Sequence, residues 1–260
     1  MPNLQALSKN THSGKHWRRP VDYFFTDMNV IAPLVVQELP KAMLSLPIAF
    51  VPRAQSYRPV AVQGLLPDKN LFVAKDGRWL AGYTPAAYRS YPFALANTED
   101  GQQVLCVDED SGLVGTEGEA FFNEDGTLSQ AVSEVLNFLT EVGNNRSATQ
   151  RLCDLLQKHS LIQPWQIKVQ GDKGEQAIEG LFRIDEAALN QLPTEAFMEL
   201  RDSGALVLAY CQLLSMQHLP LLGQLAQLHA EADQKAALQT DGEISLEFMK
   251  NETISFGNLQ

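Results

Sequence analysis

Residues 47–65, PIAFVPRAQSYRPVAVQGL, decide the fold class. Pro47–Pro52 is a short apolar run bounded by prolines, and Tyr57–Leu65 alternates before it meets Pro67-Asp68. Runs of this length between turn residues read as strands. Downstream, Asn70–Ala74 (NLFVA) ends at Asp76-Gly77, and Phe93–Ala96 and Val104–Val107 flank Asp100-Gly101 as a hairpin. The spacing predicts an antiparallel meander or partly open barrel, not βαβ units. No repeat or low-complexity segment interrupts it.

After Asp125-Gly126 the pattern turns helical. Thr127-x-x-Gln130 has capping-box form, and Leu128, Val132, Val135, Leu139 and Val142 follow at helical spacing until Gly143. Ser147-x-x-Gln150 repeats the form, with Leu152, Leu155 and Leu156 as a second stripe. Trp165–Val169 and Ala177–Ile184 read as a second hairpin, turning at Gly171-Asp172-Lys173-Gly174. Asp185 caps a short helix that ends near Leu192, and Thr194–Arg201 forms another with Phe197 and Leu200 facing inward. Upstream, Pro33–Ser45 reads as a short helix weakened by Pro40.

These readings predict an α+β protein with an antiparallel β-rich N-terminal half and a helical C-terminal half carrying an inserted hairpin. The expected layout is a flexible basic arm (1–19), one α+β domain (20–230) and an acidic tail (231–260). Within the domain, 46–108 are β-rich, 127–160 helical, 165–184 a hairpin and 185–230 helical.

Composition narrows the function. The 260 residues hold 45% apolar and 20% charged side chains, enough apolar surface to offset ordering entropy. The net charge of −11 argues against a nucleic-acid partner, which needs clustered Lys and Arg. Residues 1–19 run against this balance: Lys9, Lys15, Arg18 and Arg19 face no acid. Such an arm is either a solvated tail or a segment that docks on the acidic body or on an acidic partner.

Ser203–Ala230 has no Asp, Glu, Lys or Arg, but Gln212, Ser215, Gln217, His218, Pro220, Gln224 and Gln227 interrupt it. It reads as a buried core helix broken before Pro220 rather than a membrane span. The N-terminus has no apolar signal-peptide run, so the expected location is cytoplasmic. Cys106, Cys153 and Cys211 lie far apart in apolar runs, which fits buried thiols in a reducing compartment.

Catalytic and cofactor signatures are missing. No H-x-D, H-E-x-x-H, G-x-S-x-G, G-x-G-x-x-G or phosphate-binding loop occurs. His12 and His16 are four apart, but Ser13-Gly14 intervenes. Gly112, Gly115 and Gly118 read as loop glycines, and Glu117/Glu119 and Glu124/Asp125 as ordinary acids of an acidic chain. The reading leans against an enzyme, with no cofactor, no metal and no catalytic residue assigned.

The densest unusual segment is Trp79–Phe93, WLAGYTPAAYRSYPF, which groups Trp79, Tyr83, Tyr88, Tyr91 and Phe93 around Arg89. Aromatic faces stack on a guanidinium, and the guanidinium forks onto a carboxylate. The segment reads either as a surface that binds a protein or peptide partner, or as core packing with Arg89 in an internal pair.

The order PIAFVP, GLLPDKNLFV, DGRWLAGYTPAAYRSYPFAL, FFNEDGTLS, LQKHSLIQPW, IEGLFRIDEAALNQL and ELRDSGALVLAYCQLLSMQHLPLL resembles the SapC family of bacterial proteins over roughly Val21–Leu225. Its most distinctive part is the pattern set by Tyr83, Pro85, Arg89, Tyr91, Pro92 and Phe93. The family takes its name from a surface-layer locus. Many members lie beside genes for TonB-dependent outer-membrane receptors, tryptophan-halogenase-like flavoproteins and cupin-like proteins. The peptide-permease subunit of the same name is a different, membrane-spanning protein. The resemblance carries no catalytic residues. It implies a surface-layer or nutrient-uptake setting, in which the aromatic–Arg segment and the missing catalytic signatures read as a non-enzymatic binding or accessory protein; the alternative that the gene neighbourhood implies is an enzyme or enzyme-accessory subunit that modifies a peptide or small metabolite.

Overall fold

The computed structural model describes residues 3–98, 101–171 and 174–250, with backbone only for 170, 171, 174 and 236–250. The chain begins with β1 (Leu4–Ala6), α1 (Lys9–His12) and β2 (His16–Trp17), and continues with β3 (Ile31–Pro33) and α2 (Leu39–Ala42). Next come the hairpin β4 (Ile48–Arg53) and β5 (Ser56–Val62), the single-turn α3 (Ala86–Arg89), and the hairpin β6 (Phe93–Asn97) and β7 (Gln103–Asp108). Two short strands, β8 (Val114–Gly115) and β9 (Glu119–Ala120), precede the long α4 (Gln130–Lys158). The remainder is β10 (Ile162–Pro164), β11 (Ile167–Gly171), β12 (Gly174–Ile178), β13 (Phe182–Ile184), α5 (Glu186–Asn190), α6 (Thr194–Ser203), α7 (Ala205–Ser215) and α8 (Leu219–Lys250).

The expected α+β class holds. The strands form four separate antiparallel sheets, and the five-stranded one, β10-β13-β4-β5-β3, is centred on residues 47–65. Among the described residues these sheets do not close into a barrel. β4 and β5 pair from Ile48↔Ala61 to Arg53↔Ser56, so Ala54-Gln55 makes a two-residue turn. Asn70–Ala74 does not form a strand and contributes only an isolated bridge, Val73↔Trp79.

Two apolar clusters hold the fold. The larger packs the five-stranded sheet against α2, α5, α7, α8 and the C-terminal half of α4. The smaller joins Trp17, Phe93, Leu105, Val107, Phe121 and Val132. α4 spans both clusters. Ser129 caps it by accepting from the Val132 amide, so the cap lies two residues beyond the expected Thr127. Val132, Val135 and Leu139 pack on the small cluster, and Leu152, Cys153 and Leu156 on the large one. At about 1.5 Å rise per residue its 29 residues reach some 43 Å. The stop expected at Gly143 does not occur. A helix interior tolerates glycine at about 1 kcal/mol, and packing at both ends outweighs that cost.

Other local expectations shift for similar reasons. Pro33–Ser45 divides into β3, a turn at 36–38 and α2, where Pro40 sits in the first turn and lacks only an amide that has no helical partner. Leu200 is buried, but Phe197 is 36% exposed and does not face inward. The second hairpin, β11–β12, is present, while Asp172 and Lys173 of its turn lie outside the described residues. Asp185 caps α5 as its sequence implies.

The described part of the basic arm is folded in. β1 pairs with β7, and β2 inserts between β8 and β9. Trp17 is buried edge-on to Phe93 at 4.7 Å, and His12 is fully buried against Phe121. Lys15 donates to Glu109 at 2.9 and 3.0 Å, and His12 Nε2 lies 2.8 Å from the same carboxylate. This is docking on the body's own acids, and it replaces the picture of a flexible arm. At the other end, residues 231–250 continue α8, and 251–260 lie outside the described residues.

By length and apolarity the helical stretch Ala205–Lys235 could cross a membrane, and 44% of its most apolar window is buried in the fold. A 3-10 turn at Met216–His218 breaks it before Pro220, as expected. His218 bonds the Met43 carbonyl and His229 the Leu71 carbonyl, each at 3.0 Å.

Candidate functional site

Glu38 organises the region around Arg89. It ends the turn at 36–38, and its side chain is only 5% exposed. Oε2 accepts from the Val35 amide at 3.0 Å, which is half of a capping box, because Val35 has no side-chain acceptor to return the bond. Oε1 accepts from the Ala86 amide at 2.6 Å and from the Tyr83 hydroxyl at 2.9 Å. One carboxylate therefore satisfies the first amides of two separate turns, which would otherwise be orphaned.

This anchoring presents Arg89 at the last position of α3. Its Nη2 donates to the Tyr83 hydroxyl at 3.1 Å and lies 3.9 Å from Glu38 Oε1. Its guanidinium carbon lies 5.7 Å from the Tyr83 ring centre and 5.0 Å from that of Phe138 on α4. The side chain is 44% exposed. The guanidinium is thus held by two rings on a side chain that stays partly exposed.

The six residues singled out in the sequence do not share one surface. Arg89 and Tyr83 lie together, and Tyr91 is partly exposed with other neighbours. Trp79 is half-buried, donates Nε1–H to the Tyr83 carbonyl at 2.9 Å, and packs beside Tyr23, Phe72 and Tyr88. Tyr88 is buried, with its hydroxyl 2.6 Å from Gln63 Oε1. Phe93 is buried in the small cluster. Tyr91 lies flat on Phe25, centroids 4.0 Å apart, and its hydroxyl donates to Asp108 at 3.3 Å.

Burial, then the Glu38 charge, pushes the Tyr83 phenol well above its usual range. Burial pushes Tyr88 up to about 12. Burial and then the Asp108 charge raise Tyr91. All three stay protonated at neutral pH, so they serve as hydrogen-bond donors and stacking faces, not as bases.

Next to this rim, sharing Glu38 and Ala87 with it, is a pocket between β5 and the middle of α4. Arg53, Arg58 and Arg146 line it together with Thr149 and Gln150. Sequence reading missed these arginines. One signal was available: Arg58 is a charge directly before the wholly buried apolar run Pro59–Val62 of β5. Among the described residues no group of three or more His, Cys, Asp or Glu could hold a metal ion.

The molecule is an α+β protein whose built surface feature is a guanidinium clamped between rings beside an arginine-lined pocket. The SapC family profile matches residues 7–222, and the chain belongs to that family. The match starts well before Val21 and takes in most of the docked N-terminal segment. Searches of curated proteins and of solved structures find no match.

Proposed function

We propose that this protein is a non-enzymatic binding or accessory protein that recognises a protein or peptide partner through the Arg89 face. The observation that carries this reading is the state of Arg89. Glu38 already accepts from two amides and a phenol, and its ion pair with the guanidinium is long, at 3.9 Å. Tyr83 and Phe138 hold the group in place, which lowers the entropy lost when it forks onto a partner carboxylate. Tyr83 supplies a hydroxyl and a ring edge at the same place, and Tyr91 adds a second half-exposed ring on the same segment.

The setting we propose is a bacterial surface-layer or outer-membrane nutrient-uptake system, with the protein acting from the cytoplasm and without a nucleic-acid partner or membrane insertion. Family membership supports the setting, and the acidic balance supports the exclusion of nucleic acid.

The test is affinity capture from host extract with the wild-type chain and with Arg89→Gln, after circular dichroism has established equal folding. A protein retained by the wild type and lost with R89Q supports the reading. Equal retention by both sinks it.

A further inference from the structure

The arginine-lined pocket has a ligand chemistry of its own. Its cavity is about 50 Å³. At about 10–15 Å³ of such volume per water, it holds three to five heavy atoms, the size of a carboxylate or phosphate group. Among the described residues, none of Arg53, Arg58 and Arg146 has an acidic partner within ion-pair distance. In a chain with 31 acids and 20 bases, three unpaired arginines around one cavity run against the composition. Arg58 Nε is also buried with no hydrogen-bond partner, which leaves a charged group's donor unsatisfied.

The other polar side chains around the cavity, Tyr57 apart, are already engaged. Glu38 accepts its three bonds from Val35, Ala86 and Tyr83. Thr149 accepts from the Val36 amide and donates to the Asn145 carbonyl. Gln150 donates to the Tyr57 carbonyl and to Asp154, and Asp154 also receives the Ser56 hydroxyl. The three guanidiniums match a planar or tetrahedral oxyanion by paired N–H donors.

We propose that Arg53, Arg58 and Arg146 form an oxyanion site that takes the carboxylate or phosphate group of a ligand. Joined to the proposed function, on which this part rests, the oxyanion is an acidic group of the partner, seated beside the ring-held Arg89.

The experiment is isothermal titration of the full chain in chloride buffer with inorganic phosphate and, separately, with succinate, at matched ionic strength. A single saturable site is expected for one of the two, and the one that binds identifies the group. Arg58→Gln with Arg146→Gln is expected to weaken that binding by at least about tenfold. Arg146 lies on the exposed side of α4, so Arg146→Gln alone is the second variant, and a loss of about threefold or more is expected even if the double variant folds poorly. No saturable binding of either anion, or unchanged binding in folded variants, overturns the site. The titration needs no partner, so its failure leaves Arg89-dependent capture standing, and failed capture leaves the titration standing.

Discussion

Replacing Glu38 by alanine removes the one acceptor shared by the turn at 36–38, by α3 and by Tyr83. The Val35 and Ala86 amides bond this side chain in a buried setting, and each would cost about 1–3 kcal/mol if left unsatisfied. The Tyr83 hydroxyl is half-exposed and regains water, so it adds little. Relief of the buried charge offsets part of the loss. The Arg89 contact at 3.9 Å contributes little, being half-exposed. The net for Glu38→Ala is about 2–5 kcal/mol of lost stability. Glu38→Gln keeps the volume and one acceptor oxygen but turns an NH2 toward a donor, and should cost about 1–3 kcal/mol. Tyr83→Phe removes one donor of three and should cost about 0.5–1.5 kcal/mol. Urea unfolding followed by far-UV circular dichroism gives all three values on one scale. A cost below about 1 kcal/mol for Glu38→Ala, or a reversed order of the three, would refute the anchoring role.

Three further outcomes follow from packing and charge. Phe93→Ala should cost about 3–5 kcal/mol in the same unfolding assay, because the ring fills the cluster between Trp17 and Phe121. Gly64→Ala should cost more than about 2 kcal/mol or prevent folding, since an added Cβ would sit 2.1 Å from the Lys69 carbonyl oxygen, a backbone atom that cannot step aside. Hydrogen bonding from Lys15, with His12 beside it, holds the Glu109 carboxyl below its ordinary value of 4.5. A carboxylate with a lowered folded pKa stabilises fully above its unfolded pKa and loses that contribution as pH falls through the folded pKa. Exchange protection of β1 and β2 should therefore fall as the pH drops below the ordinary carboxylate range. In Glu109→Gln it should be reduced already at neutral pH and should vary less with pH.

The strands and caps that could be read in the sequence were those with strong local signals. The strand read in Tyr57–Leu65 forms as β5, and the Asp185 cap specifies its own conformation. NLFVA has strand composition but no partner strand, so it folds as loop held by Asn70 side-chain bonds to Thr26 and Phe72. For residues 1–19 the sequence does not choose between a solvated tail and a docking arm, because docking depends on residues about a hundred positions away, Glu109 and β8–β9. In the aromatic segment, spacing alone does not sort the rings that face inward from those that do not. Phe93 and Tyr88 are drawn inward by Trp17 and Gln63, whereas Arg89 is held outward by Phe138, 49 residues on. The arginine pocket likewise joins a strand to a helix about ninety residues away, which no local pattern encodes.

Hydrogen exchange of the full chain, with and without the captured partner, tests the recognition face most directly. The account expects slowed exchange in α3, in the β4–β5 turn and in the stretch of α4 from Phe138 to Gln150. Protection confined to other elements, with those three segments unchanged, would contradict it.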